Sequence, residues 1–143
     1  MSIEAILQQK GRNVVTIDPN TSIRSAAERL REMNIAALVV ISSGSILGIV
    51  SEREIAHAVS GYGDRVASIP VKDILVWDFV SISPEDSLKH AMNLMTHRRT
   101  RHLLVLDDGA LVGIVSIGDV VKHRLEDLEL EANVLRDLYI AAH

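Results

Sequence analysis

Two serine–carboxylate pairs are the residues of this sequence best suited to bind a ligand. Ser116 and Asp119 follow the run Gly-Ile-Val, and Ser51 and Glu54 follow an identical run 65 residues earlier. A serine and a carboxylate at this spacing form a capping box at the start of a helix. The free N–H groups of a helix start also favour a phosphate, and a nearby carboxylate can accept hydrogen bonds from a ribose diol. The two interpretations are compatible.

Both turns belong to an internal duplication. Each copy reads as strand, helix, strand, strand, helix, and a single copy cannot cover its own sheet. We therefore predict an α/β (α+β) fold of two pseudo-symmetric βαββα repeats packed sheet to sheet, with an N-terminal helix, a long C-terminal helix, and a cleft near each strand-to-helix turn. Further identical pairs at the separation of 65 are Val15/Val80, Ile17/Ile82, Pro19/Pro84, Ser22/Ser87, Ala26/Ala91, Leu38/Leu103, Gly44/Gly109 and Gly48/Gly113.

Local signals set the expected boundaries. Thr21 is predicted to cap the first helix of the first copy, and Gly61 is predicted to end the helix at 52–59. A short proline-led helix at 70–75 is expected to correspond to residues 2–7. Residues 1–143 are interpreted as a single module with a first repeat at 11–60, a linker at 61–75, a second repeat at 76–125 and a C-terminal helix extension at 126–143.

Composition narrows the class of protein. The sequence is 48% hydrophobic but only 3% aromatic, so the core must consist of aliphatic side chains. It contains no cysteine, and its start lacks the pattern of a signal peptide, so we expect a cytoplasmic protein. The net charge of −4 argues against general binding to nucleic acid or anionic membranes. His90, His123 and His143 have no ligand-like spacing, and no metal is predicted.

The last predicted helix carries an apolar stripe. Its members follow one another at steps of four and three residues, the a/d spacing of a helix-packing seam. Docking on the N-terminal helix of the same chain and contact between two chains are equally good interpretations of this stripe. The stripe consists of Val121, Leu125, Leu128, Ala132, Leu135, Tyr139 and Ala142.

With these features in hand, the sequence resembles a pair of cystathionine β-synthase (CBS) domains, a Bateman module. Each repeat has the strand-proline-helix entry at 15–19 and 80–84, a helix alanine, a turn glycine and Gly-Ile-Val-Ser before the last helix. The resemblance covers about residues 3–125. Short free-standing bacterial members also show Ser-Glu-Arg in the first repeat and Arg-His before a strand of the second, as at 51–53 and 101–102 here.

The resemblance implies that adenosine compounds bind in the two clefts, with AMP first and ADP, ATP, NAD(H) or S-adenosylmethionine as alternatives. In the family, the hydroxyl at Ser116 meets phosphate or ribose and the carboxylate at Asp119 holds the ribose hydroxyls. By pseudo-symmetry, the first cleft is expected to contain Val115, Ser116, Asp119, Lys10, Arg12, Ile35, Ala36 and Ala37. The second is expected to contain Ser51, Arg53, Glu54, Val76, Asp78, Phe79, Thr100, Arg101 and His102.

The clefts are predicted to be unequal. Glu54 stands where the family has aspartate, and one more methylene moves the carboxylate by about 1.5 Å, which alters a bidentate contact. The basic run at 97–102 leaves phosphate coordination by Arg101 or His102, a solvated helix end, and RNA binding open, in that order of preference.

Regulation is the function that the resemblance implies. No ordered nucleophile and base set accompanies the serines and Gly-x-Ser-x-Gly is absent, so we do not expect an enzyme. We predict a homodimer that senses an adenine nucleotide and modulates an unidentified protein, without a nucleic-acid or membrane partner. The alternative is a dimeric scaffold that works without a ligand.

Overall fold

The structure, a computed structural model, describes residues 1–142, and His143 lies outside the described residues. It confirms a mixed α+β fold with two three-stranded sheets, five α-helices in residues 1–142 and a long C-terminal helix. The elements are α1 (Ile3–Lys10), β1 (Thr16–Ile17), α2 (Ile23–Met33), β2 (Ala37–Ser42), β3 (Ser45–Ser51), α3 (Glu52–Tyr62), β4 (Ser81–Ile82), α4 (Leu88–Arg98), β5 (His102–Asp107), β6 (Ala110–Ser116) and α5 (Ile117–Ala142), with 3₁₀ turns at Gly63–Ser68 and Val71–Asp73.

The chain folds into two units. One consists of residues 14–79, and the other joins residues 1–13 to the chain from Val80 onward. In both units the first strand is parallel to the second, and the second is antiparallel to the third. The register of the hairpin shifts after Val40 in one unit and after Val105 in the other, 65 residues apart, so the duplication extends to an irregularity of the sheet.

Two-residue turns close both hairpins. Ser43 and Gly44 have φ of 51° and 79°, and Asp108 and Gly109 have φ of 49° and 81°. Positive φ at both central residues is the type I′ turn, whose twist matches that of the strands it joins. These turns fix the register that brings the ends of β3 and β6 to their helices.

Each unit has its own aliphatic core. In residues 14–79, one face of the sheet packs with α2 around Leu38, Val40 and Val50, all fully buried. The other unit places Leu103, Val105 and Val115 of its sheet in the same way. The repeated helix alanines, Ala26 and Ala91, are likewise fully buried, because a small side chain lets helix and sheet approach closely.

The segment that leads into each repeat packs in the unit of the other repeat. Ile3 N–H donates to Asp86 O at 2.9 Å, and Val71 N–H donates to Thr21 O at 2.8 Å, so residues 1–7 and 69–75 occupy corresponding places. This bears out the predicted correspondence, although the second leader forms a 3₁₀ turn rather than an α-helix.

Two predicted helix boundaries were wrong. Ser22, and not Thr21, caps α2, since its Oγ accepts from Ser25 N–H at 3.1 Å. Gly61 lies inside α3, which ends at Tyr62 and is followed by Gly63 with φ of 60°. Adjacent hydroxyls compete for one cap and nearby glycines for one helix end, and local sequence does not decide between them.

Helix α5 continues far beyond the sheet it follows. Its buried residues are Val120 and His123, and His123 Nδ1 lies 3.1 Å from Met1 Sδ. The predicted apolar stripe of α5 is exposed along its length. Among residues 1–142, no helix is long and apolar enough to cross a membrane.

Candidate functional site

The turn between β6 and α5 is a reciprocal capping box. Asp119 Oδ2 accepts from Ser116 N–H at 2.8 Å, and Ser116 Oγ accepts from Asp119 N–H at 3.1 Å. The Gly-Ile-Val run ends as a strand and the chain turns at once into a helix, as predicted. The Ser116 side chain also hydrogen-bonds the Asp119 carboxylate and thereby helps to lower the pKa of Asp119.

Lys10 brings a positive charge to this turn from the other end of the chain. It is the last residue of α1, and its Nζ lies 2.5 Å from Asp119 Oδ2. Burial alone would raise the pKa of Asp119, but hydrogen bonds from Lys10 and Ser116 outweigh it and hold that pKa below its usual value. Both donors use Oδ2, and within residues 1–142 no hydrogen bond reaches Oδ1. The turn therefore presents an ionised carboxylate with an open acceptor beside an ammonium group.

Arg12 makes a different contact from the one predicted. Its guanidinium pairs with Glu4 in the first turn of α1, and the hydrogen bond from this pair raises the pKa of Arg12 above its ordinary value. Sequence reasoning missed Glu4, because α1 ends before Arg12 and the pair has no helical spacing. Arg12 is therefore directed to α1.

Residues 100–102 lie beside Ser116 on the same sheet. His102 is opposite Ser116 in the register of β5 and β6, and Arg101 O accepts from Ile117 N–H at 2.9 Å. Thr100 Oγ1 donates to His102 O at 3.0 Å. The Arg101 side chain is exposed, so its guanidinium can reach a bound anion.

The turn between β3 and α3 differs in its hydrogen bonds. Ser51 N–H and Ser51 Oγ both donate to Glu54 Oε1, at 2.8 and 2.7 Å. The longer glutamate side chain reaches back to the serine hydroxyl and occupies its proton. The two turns thus differ in geometry, since the Ser51 hydroxyl donates to Glu54 Oε1 at 2.7 Å whereas Ser116 Oγ accepts from Asp119 N–H at 3.1 Å.

The surroundings of the Ser51 turn repeat those of Ser116 with apolar residues. Ala37 is opposite Ser51, and Ala36 O accepts from Glu52 N–H at 3.2 Å. Val76 pairs with Ile49 through two backbone hydrogen bonds of 2.8 and 3.1 Å. Asp78 is exposed two residues after Val76.

The remaining predicted residues are distributed over both units. Val115 is fully buried beside the Ser116 turn, Ile35 and Phe79 are half-buried, and Arg53 is exposed on the first turn of α3. Within residues 1–142, no group of three or more histidine, aspartate or glutamate side chains could hold a metal ion.

Comparison with known proteins places these features in one family. The sequence-family model of the CBS domain matches residues 10–61 and 71–126. The CBS domain-containing protein YhcV of Bacillus subtilis is 32% identical over 114 residues, which cover 80% of this chain and 81% of YhcV. The crystal structure of the CBS-domain containing protein ATU1752 from Agrobacterium tumefaciens has a TM-score of 0.84 at 38% identity, covering 87% of this chain and 99% of that one.

A more distant structure shares the fold alone. The CBS domain pair of protein MJ0100, solved in complex with 5′-methylthioadenosine and S-adenosyl-L-methionine, has a TM-score of 0.79 at 22% identity. It covers 89% of this chain and 98% of its own.

Proposed function

The chain belongs to the CBS domain family, a regulatory nucleotide-binding module, and we propose that it senses an adenosine nucleotide, with AMP as the preferred ligand. The observation that carries this proposal is the ionised Asp119 carboxylate, open at Oδ1, at the start of α5 and beside Lys10.

The ribose is assigned to Asp119. A carboxylate with a lowered pKa stays ionised at neutral pH, and hydrogen bonds to an ionised acceptor are about twice as strong as neutral ones. A ribose hydroxyl would donate to Oδ1, while the capping hydrogen bond stays on Oδ2. The Ser116 hydroxyl supplies a donor on the same turn, for a ribose or phosphate oxygen.

Lys10 accounts for a preference for nucleotides over nucleosides. Its Nζ already lies at the carboxylate that would hold the ribose, and a lysine side chain can turn toward a phosphate on that ribose. The positive end of the helix dipole at the start of α5 favours the same negative charge. Arg12 becomes a second phosphate ligand if its guanidinium leaves Glu4 and pairs with the phosphate of the nucleotide.

The other predicted residues complete the proposal. Val115, Thr100, Arg101 and His102, which lie in the unit of Ser116, would line the site beside it. MJ0100 was solved with two adenosine-containing ligands, which favours the same chemical class here. A second and weaker site would use Ser51, Arg53 and Glu54 together with residues of the same unit, namely Ile35, Ala36, Ala37, Val76, Asp78 and Phe79. ADP, ATP, NAD(H) and S-adenosylmethionine are alternative ligands.

In the cell, we expect a cytoplasmic homodimer that changes the activity of a protein partner on binding its ligand. A ligand can do this only through different affinities for two states of the module. No catalytic step and no metal form part of this proposal.

Calorimetric titration tests the proposal directly. AMP, ADP, ATP, NADH and S-adenosylmethionine are titrated into the parent, Asp119→Asn and Glu54→Gln. We expect AMP to bind the parent, and Asp119→Asn to weaken it by at least about tenfold, because a charge-assisted hydrogen bond contributes about 1.5–3 kcal/mol. Glu54→Gln makes the same chemical change at the other turn and should leave the stronger site within about threefold.

The possible outcomes are distinct. Equal AMP affinity in the parent and a folded Asp119→Asn would refute the assignment of the ribose. No binding of any of the five ligands would refute the sensor and support the dimeric scaffold, which the exposed stripe of α5 favours.

A further inference from the structure

The apolar stripe of α5 is the largest feature that nucleotide binding leaves unexplained. Its large side chains are 43–67% exposed, from Leu128 at 43% to Leu135 at 67%. In heptad notation, Val121, Leu128, Leu135 and Ala142 are at d, and Leu125, Ala132 and Tyr139 are at a. Seven exposed a/d positions in succession are typical of a coiled-coil seam rather than of scattered surface residues.

The stripe faces away from the unit that carries α5. The residues of α5 that pack on this unit are Val120 and His123, at positions c and f of the heptad. At 100° per residue, position f lies about 140° around the helix from a and about 160° from d. A partner helix can therefore lie along the seam while each chain keeps its own unit on the outer side.

The flanking charges favour a partner with the same sequence. Arg124 and Glu131 are at g, and Glu129 and Arg136 are at e; all four are exposed. In a parallel pair, each g residue meets the e residue five positions later on the other helix. Arg124 then faces Glu129 of a second copy, and Glu131 faces Arg136. Arg136 also donates to Asn133 on its own helix at 3.0 Å, using one of its five N–H groups.

An antiparallel pair can use only six of the seven stripe positions. In the register that pairs Val121 with Tyr139, the e and g positions place Glu129 against Glu129 of the second copy and Glu131 against Glu131, and like charges oppose association. In the register that pairs Leu125 with Ala142, Glu129 meets Arg136. The parallel, in-register pair uses all seven positions and makes both attractive pairs, so it is the arrangement that the stripe and its flanking charges favour.

We propose that α5 forms a parallel, in-register, two-stranded coiled coil with a second copy of this chain. This specifies the homodimer of the proposed function, but it does not depend on nucleotide binding. Two ligand-binding modules are then held side by side at the same end of one coiled coil.

Sedimentation equilibrium of the parent, Leu128→Glu and Leu130→Glu tests the seam. Leu128 is at d, whereas Leu130 is at f and is 64% exposed, so the same change is made on the same helix off the seam. We expect the parent to be a dimer. Leu128→Glu should raise the dimer Kd at least about 100-fold, because a carboxylate would be buried at the seam. Leu130→Glu should change the dimer Kd by no more than about threefold. A monomeric parent, or equal masses for all three proteins, would overturn the proposal.

A charge reversal tests the direction. Arg124→Glu is expected to raise the dimer Kd by about tenfold, since two attractive pairs become repulsive. The double variant Arg124→Glu/Glu129→Arg is expected to return to within about threefold of the parent, because the pair is restored across a parallel interface. Failure of the double variant to recover, with circular dichroism showing both variants folded, would overturn the parallel arrangement.

The AMP titrations distinguish this inference from the proposed function. Leu128 is not a predicted ligand contact, so Leu128→Glu should bind AMP like the parent while losing the dimer. If Leu128→Glu remains dimeric and still binds AMP, the coiled coil is refuted and the proposed function is not.

Discussion

The Lys10→Met substitution removes the ammonium group from Asp119 and keeps an apolar side chain of similar length. Since the folded protein lowers the pKa of Asp119, this carboxylate stabilises the fold at pH values above its unfolded pKa, about 3.9. The stabilisation is lost as the pH falls through the folded value. Without Lys10, burial has less opposition and the pKa of Asp119 rises, although the hydrogen bond from Ser116 N–H remains.

The size of the effect follows from the exposure of the pair. The side chains of Lys10 and Asp119 keep 34% and 23% of their accessible surface, so water screens the attraction. We expect Lys10→Met to lower the free energy of unfolding at pH 7 by about 0.5–1 kcal/mol, which corresponds to about 1–3 °C in Tm for a chain of this size. In 1 M salt the difference should shrink further.

Urea unfolding between pH 7 and pH 3, with ¹³C NMR titration of the Asp119 carboxyl, measures both quantities. The difference in stability between parent and variant should narrow as the pH falls below about 4. Lys89→Met on α4 is the control, since Lys89 is exposed and makes no ion pair within residues 1–142. If the pKa of Asp119 is the same in both proteins, or if the stability difference is as large at pH 3 as at pH 7, the ion pair is not its cause.

Two further predictions follow. Lys10→Met should reduce the ratio of AMP affinity to adenosine affinity by about tenfold. The phosphate loses its cation, whereas the Asp119 carboxylate that would bind the ribose no longer pairs with Lys10. If calorimetry gives an unchanged ratio, Lys10 does not bind the phosphate. Gly48→Ala should cost more stability than Gly113→Ala, by about 1–3 kcal/mol. A Cβ at Gly48 would lie 2.3 Å from Val76 O, in the backbone, whereas one at Gly113 would lie 2.6 Å from the movable Leu7 Cδ2. Equal midpoints in urea would contradict this difference.

The sequence was most informative where structure depends on near neighbours. The capping boxes at Ser51 and Ser116 join residues three positions apart. The fixed separation of 65 residues aligned the elements of the two copies with each other. The same reasoning gave the wrong helix boundaries at Ser22 and Gly63, because Thr21 and Gly61 are residues of equally suitable type a position or two away. The fold class was predictable because the repeated pattern of strand and helix admits few layered arrangements.

Contacts between distant residues were predictable only in part. The family resemblance brought Lys10 to the turn of Asp119, but nothing in the spacing indicates an ion pair across 109 positions. The contact of Arg12 with Glu4 had no local signal. The hydrogen bond from the Ser51 hydroxyl to Glu54 depends on the extra methylene of glutamate. Residue type alone does not reveal this hydrogen bond, because it depends on the side-chain conformation.

The placement of α1 makes the unit at 14–79 an insertion within the other unit. During synthesis, the inserted unit is complete once residue 79 has emerged, because its leader at 69–75 comes at its own end. Helix α1 is made before the rest of its unit, and its sheet is finished only at Ser116, roughly 100 residues later, or about 5–20 s at ordinary rates of translation. For that interval its apolar residues Ile3, Ile6 and Leu7 lack their native partners. The helix that delivers Lys10 to the candidate site therefore reaches its native contacts only after β6 has been made.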